Sequence, residues 1–209
     1  MSMMTEALER ISIYCDLSQP DRPREEIEKK LSFFPFQLSD EAYEFYQWAG
    51  APVGVRWPDD GDGSYSNSTY SCALERFLGT AIDLIQFVSI EEAERYYSPS
   101  FHDPKYLPFV SYENGSLVIA GSETQVANSP VLQREDCDPS LWFPSLTNMM
   151  LAIAECLETV GTIIPGPTID DYDENYGTNK YHEKLQKQWQ VVEAIAQKYG
   201  SPTASILTN

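Results

Sequence analysis

The sequence predicts an α+β fold in which helices pack around a central, mostly antiparallel sheet and a further helix follows at the C-terminal end. Two apolar runs joined by a turn signal at residues 106–120 indicate a β-hairpin within that sheet. Capped, amphipathic patterns at residues 38–50 and 145–161 predict the covering helices. A chain of 209 residues, 42% of them hydrophobic, is long enough for one such domain and rather short for two.

Asn114-Gly115 is the turn signal of the predicted hairpin. Asn and Gly tolerate the positive φ that both central residues of a type I′ turn require, so the flanking runs are expected to pair as antiparallel strands. Because an isolated hairpin is only marginally stable, it needs partner strands and a layer of helices. The predicted partner strands cover residues 52–57, 84–88 and 130–134.

Helix signals lie on both sides of these strands. Ser39 is a predicted N-cap followed by two acidic residues in the first turn, and Ser145 caps a second strong helix. Ser89 and Glu92 fit the S-x-x-E capping box of a short helix. In chain order, the predicted helices cover about residues 5–17, 25–34, 39–49, 89–97, 145–160 and 180–199.

The chain is predicted to comprise one domain over residues 1–161, a linker over residues 162–178 and a C-terminal helical segment over residues 179–209. Abundant Pro, Gly and Asp without any periodicity predict the acidic linker. The last helix repeats apolar residues along one side, and such a long stripe must be buried. We expect it to pack on the domain or on a second copy of the chain, which would form a homodimer.

Net charge is the strongest compositional signal. The chain carries a formal charge of −18, and residues 58–178 hold most of it, with 20 acidic and 4 basic side chains. Such a surface repels nucleic-acid phosphates and anionic lipids and speeds the encounter with a basic protein. We therefore expect a basic protein partner, and neither nucleic acid nor membrane. Solubility alone is the alternative explanation of this charge.

Cysteine spacing and the N-terminal segment bear on the compartment. Cys15, Cys72, Cys137 and Cys156 are scattered without any C-x-x-C pair, which is typical of structural thiols in a reducing compartment. No export signal is visible near the N-terminus, and no apolar run approaches the roughly 20 residues that span a bilayer. The expected location is the cytoplasm.

The candidate catalytic and metal-binding groups are weak. The acidic run at residues 59–62 is similar to a calcium loop, but Ser64 and Tyr65 stand where an EF-hand needs a ligand and a glycine. A second acidic run, at residues 170–174, lies in the predicted linker and lacks a rigid frame. His102 beside Asp103 has no recognisable nucleophile motif. We expect no catalytic residue, no metal site and no cofactor.

Protein binding is the predicted role, and two acidic stretches with one tryptophan are the candidate contacts. Trp142 stands beside the second stretch and is the predicted interface anchor, because exposed tryptophans often dominate binding energy. The candidate partner-binding residues are Asp59, Asp60, Asp62, Glu135, Asp136, Asp138 and Trp142. Two alternatives stay open: a metal-dependent hydrolase that uses the carboxylate clusters, and an acidic protein that mimics nucleic acid.

Four stretches together carry a resemblance to a known family: residues 38–50, 87–97, 106–120 and 129–157. They comprise a helix ending in Gly, a strand followed by a capped helix, a hairpin entered through Leu-Pro-Phe, and a closing helix. In this order of parts, over roughly residues 25–160, the chain resembles the SUKH superfamily. That superfamily takes in fungal regulators of cell-wall glucan synthesis and bacterial immunity proteins that neutralise partner toxins.

The SUKH resemblance implies an α+β fold that binds another protein and catalyses nothing. For an immunity protein, the partner would be a toxin domain. The chain departs from the family pattern at one place: members commonly carry an Asp soon after the hairpin glycine, whereas Ser116-Leu117-Val118 follows Gly115 here. The residues after 162 lie outside the family core, so the resemblance implies nothing about them.

Overall fold

The computed structural model describes residues 1–13, 22–48, 86–97, 103–112, 115–134, 139–160 and 179–202, and these residues have the predicted α+β fold. The described helices are α1 (Met3–Ser12), α2 (Arg24–Lys30), α3 (Asp40–Trp48), α4 (Ala93–Tyr96), α5 (Leu146–Val160) and α6 (Asn179–Lys198). The described strands are β1 (Gln86–Phe87), β2 (Tyr106–Tyr112), β3 (Gly115–Ala120), β4 (Val131–Arg134) and β5 (Ser140–Phe143). The strand predicted at residues 52–57 lies outside the described residues.

The strands form one antiparallel meander in which each strand pairs with the next along the chain, from β1 to β5. The predictions of β1, of the β2–β3 hairpin and of β4 are confirmed. No strand was predicted at β5. Its four residues stand between Pro139 and Pro144, which are typical of irregular structure, and only pairing with β4 makes them a strand.

The hairpin forms, but its turn differs from the predicted one. Tyr112 pairs with Gly115, so residues 113–114 connect the two strands and Gly115 is the first residue of β3. Gly115 is therefore a strand residue and not a central turn residue as predicted, and Asn114 lies outside the described residues. A two-residue connection is compatible with either position, and the register of the whole ladder decides between them.

Helix starts confirm most of the predicted caps. Ser39 Oγ accepts from Ala42 N at 3.3 Å at the start of α3, and Ser145 Oγ accepts from Asn148 N at 3.0 Å at the start of α5. The capping box of the short helix is wrong in detail, because Ser89 Oγ donates to the Glu92 carboxylate at 2.9 Å and α4 begins only after that turn.

One core lies between the sheet and the helices. Leu117 and Ile119 of β3 and Phe109 of β2 have no exposed surface, and Phe109 meets the Phe45 ring of α3 edge-on at 6.0 Å between centroids. Most of α5 is buried, since it contacts α1, α3 and α6. The middle of the chain thus forms the sheet, and α5 is the central helix of the packed layer.

The C-terminal helix α6 contacts α5 of the same chain. Val192, Ile195 and Ala196 are buried on that side, so the last turns of the apolar stripe pack on the domain. Gly200, at φ +88°, ends the helix as predicted, because a glycine adopts this left-handed conformation without strain. Pairing of α6 with a second copy stays a prediction.

Candidate functional site

The predicted partner-binding acids lie outside the described residues. This holds for Asp59, Asp60, Asp62, Glu135, Asp136 and Asp138. The place of the second acidic stretch in the chain order is nevertheless known. β4 ends at Arg134 and the adjacent antiparallel strand β5 begins at Ser140, so the stretch belongs to the connection between them. The acidic run 170–174 and His102 also lie outside the described residues.

The structure corrects the role predicted for Trp142. This side chain is only 3% exposed and belongs to the hydrophobic core, where its ring meets Phe143 at 5.2 Å between centroids. An interface anchor must be accessible to the partner. Trp142 is therefore a core residue, and the exposed apolar side chain of β5 is its neighbour Leu141, at 43%.

Glu41, in the first turn of α3, is a buried carboxylate that joins three parts of the chain. It is 5% exposed, and its Oε1 accepts from Ser129 N at 2.7 Å and from Leu146 N at 3.0 Å. Its Oε2 accepts from Thr147 N at 2.9 Å. The carboxylate thus accepts hydrogen bonds from the first free N–H groups of α5. Its negative charge also stabilises that helix, because the N-terminus of a helix carries a partial positive charge. Because these three contacts are all to backbone N–H groups, its role is structural.

A second feature lies beside α3 and faces solvent. A cleft of about 450 Å³ lies between α2, α3 and the β3–β4 connection (residues 121–130). Four of its lining residues have buried side chains that are apolar or aromatic: Leu31, Phe34, Leu38 and Tyr43. The remaining lining residues, mostly polar, are Arg24, Glu28, Ser32, Phe36, Gln37 and Gln125.

The Arg24 guanidinium forms one wall of this cleft. It lies over the Tyr43 ring at 3.9 Å from the centroid, which is a cation–π contact. It also donates to Glu28 Oε1 at 3.0 Å, to Asp40 Oδ1 at 3.3 Å and to Gln125 Oε1 at 2.7 Å. These contacts come from two helices and a distant connection, so the wall exists only in the folded chain.

Gly121 begins the β3–β4 connection and lies against two of the residues that line the cleft. A Cβ atom at this position would lie 2.6 Å from Phe34 Cζ and 2.6 Å from Phe36 Cβ, which is closer than real contacts allow. Nearby, Gln37 and Ser122 exchange two backbone hydrogen bonds of 2.9 Å. The β3–β4 connection therefore packs directly against the segment between α2 and α3.

A separate network of charges holds α1 and α6 to α5. Arg10 donates to both oxygens of Glu158, at 2.8 and 2.7 Å, and this hydrogen bonding lowers the pKa of the Glu158 carboxyl. Glu155 accepts from Lys198 Nζ at 2.6 Å and from the Tyr199 hydroxyl at 2.7 Å, and these bonds lower its pKa as well. All of these groups are paired within the chain, so the network is a clamp between helices.

Two observations bear on reactive groups among the described residues. Among them, no group of three or more His, Cys, Asp or Glu side chains is arranged to hold a metal ion. The Tyr46 hydroxyl is fully buried, and burial raises its pKa, so it stays a neutral phenol. Over the same ranges, no helix combines the length and the apolar character that crossing a bilayer requires.

The cleft carries no sequence signal that would have located it, and the buried carboxylate carries only a weak one. Arg24, Tyr43 and Gln125 are far apart in the sequence, and each fits an ordinary helix or loop. Glu41 was predicted only as a favourable first-turn charge of α3. The one available hint is that Glu41 falls within the buried stripe of its helix, beside Ala42 and Phe45.

Comparison with known proteins yields no relative: no protein-family model, no curated protein and no solved structure matches this chain.

Proposed function

We propose that this chain is a non-catalytic protein-binding module whose acidic surface receives a basic protein. The observation that carries the proposal is the excess of 32 acidic over 14 basic side chains, concentrated in residues 58–178. A field of this sign accelerates association with a cationic partner and disfavours anionic ones. The proposed location is the cytoplasm.

The ion pairs of the described residues support the proposal. Arg10, Arg22, Arg24, Lys30, Lys105 and Lys198 each pair with a carboxylate of the same chain. Exposed carboxylates such as Glu6, Glu9, Glu25 and Glu123 have no ion-pair partner among the described residues. Because these six basic groups are paired within the fold, the unpaired acids contribute most of the field that a partner meets.

The partner class follows from the family resemblance. We propose that the chain is a SUKH-like protein, and that a toxin domain is the basic partner if its role is that of an immunity protein. The α+β fold with a hairpin-centred antiparallel sheet is compatible with this proposal. Fold alone does not determine function, so binding of a toxin domain is the property that decides the role.

Capture of the partner is the first test. The purified chain is immobilised and exposed to lysate of its own organism at low salt, and bound proteins are eluted with a salt gradient. The proposal predicts a specific protein with a basic isoelectric point that elutes at moderate salt, because surface attraction is screened. Salt-independent capture of an acidic or neutral partner would contradict it.

Charge reversal locates the acidic contacts. Replacing Asp59, Asp60 and Asp62 by Lys, or replacing Glu135, Asp136 and Asp138 by Lys, should slow association with the captured partner about tenfold at low salt. A matched control replaces Glu6, Glu9 and Glu25, three exposed acids of α1 and α2, by Lys. Association rates that fall equally for all three variants would assign the effect to net charge alone, and unchanged rates would exclude electrostatic steering.

A further inference from the structure

We propose that the cleft between α2, α3 and the β3–β4 connection receives an arginine side chain, together with a neighbouring aromatic side chain, from the basic partner. This inference rests on the proposed function, because it names the part of the partner that the fold would hold. The sequence assigns no binding role to any residue of this cleft. Its shape, its charges and the field of the whole chain favour this occupant.

Two phenylalanines that line the cleft favour an aromatic group. Phe34 is 6% exposed and Phe36 is partly buried, with their rings 5.8 Å apart between centroids. Such a surface gains free energy when another ring covers it, through apolar burial and ring contacts. The volume of about 450 Å³ lies in the range of about 300–1,000 Å³ that is typical of ligand pockets.

The rim of the cleft favours a cation. Arg24 and Glu28 line the cleft, and Asp40 pairs with Arg24 beside it, so one guanidinium and two carboxylates give a local charge of −1. The Glu28 and Asp40 side chains are 50% and 58% exposed, which leaves carboxylate surface open to a second guanidinium. Arg24 itself demonstrates that these groups, with Tyr43, contact a guanidinium in good geometry.

The electrostatic field of the whole chain disfavours an anionic ligand in the cleft. Arg24 retains N–H groups that could donate to a carboxylate, because its guanidinium has five N–H groups and makes three hydrogen bonds. An anionic ligand would, however, approach against a formal charge of −18 and would meet the Glu28 carboxylate at the rim. The cation is therefore the favoured ligand.

A peptide titration tests the cleft without the natural partner. The full-length protein, labelled with ¹⁵N, is titrated with acetyl-Phe-Arg-amide and, in parallel, with acetyl-Phe-Gln-amide and acetyl-Phe-Glu-amide. We expect the arginine peptide to shift the backbone amide signals of Ser32, Gln37 and Gln125 and to bind about tenfold more tightly than the neutral peptide. Shifts scattered over the acidic surface, equal binding of the glutamate peptide, or no binding would overturn the inference.

Two variants assign the effect to the cleft. Glu28→Gln should weaken the arginine peptide about fivefold and leave the neutral peptide unchanged. Glu25→Gln is the matched control, because Glu25 is an exposed acid on the same helix that does not line the cleft. Phe36→Ala should weaken both peptides. If Phe36→Ala does not fold, the pair of glutamate variants still decides.

The two proposals fail in different ways. If a basic partner is captured but the peptide does not bind in the cleft, the inference is wrong and the proposed function stands. If the peptide binds in the cleft but the captured partner is not basic, the proposed function is wrong and the cleft remains a cation site. Loss of the captured partner in Glu28→Gln, with retention in Glu25→Gln, would connect the two.

Discussion

Asp40 and Glu41 are neighbours in the first turn of α3, carry the same charge and have opposite environments. Glu41 is 5% exposed and accepts three backbone N–H bonds inside the fold. The Asp40 side chain is 58% exposed and accepts from Arg24 and from Gln125 Nε2 at the surface. Consecutive helical residues lie about 100° apart around the axis, so one points inward and the other outward.

This difference separates the part of the molecule that holds the fold from the part that is available for binding. A buried carboxylate that is removed leaves unsatisfied N–H groups in a place that water does not reach. A surface carboxylate that is removed leaves groups that water hydrates. The contrast predicts a wide range of effects for substitutions of similar chemistry.

The largest effect is expected at Glu41. Glu41→Ala removes the acceptor of three N–H groups, two of them at the start of α5, and should lower the free energy of unfolding by about 3 kcal/mol or more. Urea unfolding followed by circular dichroism measures it. Asp40→Ala is the control at the adjacent position. A loss at Glu41 no greater than that at Asp40 would contradict the comparison.

The second effect tests packing on the solvent-facing side. Gly121→Ala places a methyl group within 2.7 Å of Phe34 and Phe36, so the free energy of unfolding should fall by about 1–3 kcal/mol. Thermal unfolding measures it, with Glu123→Ala as a control on the same connection. The cleft peptide should also bind less well to Gly121→Ala. An unchanged unfolding temperature would contradict this prediction, because it would mean that the Phe34 ring and the Phe36 Cβ atom both move aside at no cost.

The third effect is smaller and depends on pH. The Arg10–Glu158 pair is partly exposed, so a double-mutant cycle with Arg10→Gln and Glu158→Gln should give a coupling of about 0.5–1 kcal/mol at pH 7. Arg10 lowers the pKa of Glu158 in the folded chain relative to the usual value of 4.5. The stabilisation is therefore present above that usual value and is lost as the pH falls through the folded pKa.

Cycles measured at pH 7 and at the lowest pH where the protein stays folded test the third prediction. The coupling should decrease at the acidic end. A cycle between Glu155 and Lys198 is the comparison. The Glu155 carboxyl also has a lowered pKa, so the Glu155–Lys198 coupling should decrease at the acidic end as well. A coupling between Arg10 and Glu158 that is independent of pH would show that packing, and not charge, joins the two side chains.

The smallest effect is expected at Asp40. Asp40→Asn keeps the shape of the side chain and its contact with Gln125, so stability should change by less than about 0.5 kcal/mol. The same substitution should weaken the arginine peptide in the cleft, since it removes one of the two carboxylates around Arg24. An equally small change at Glu41→Gln would remove the distinction between the two positions.

Local patterns predicted the elements well. The caps Ser39 and Ser145 and the helix end at Gly200 act within a few residues, and all are confirmed. The strand β5 and the exact turn of the hairpin were not predicted, because pairing partners decide them. The prediction that Trp142 is an interface anchor was wrong. A tryptophan beside acidic residues does not reveal which face of its strand is covered by the core.

The amino-acid sequence by itself determined the fold class, most helix ends and the strong negative charge, since these depend on periodicity, capping chemistry and composition. Only the tertiary structure decided that Glu41 caps α5, that Trp142 is buried and that Arg24, Tyr43 and Gln125 meet at one cleft. The physical reason is that each of these facts depends on which distant segments come together. A chain pattern specifies the face of a helix or strand, and packing alone specifies what that face touches.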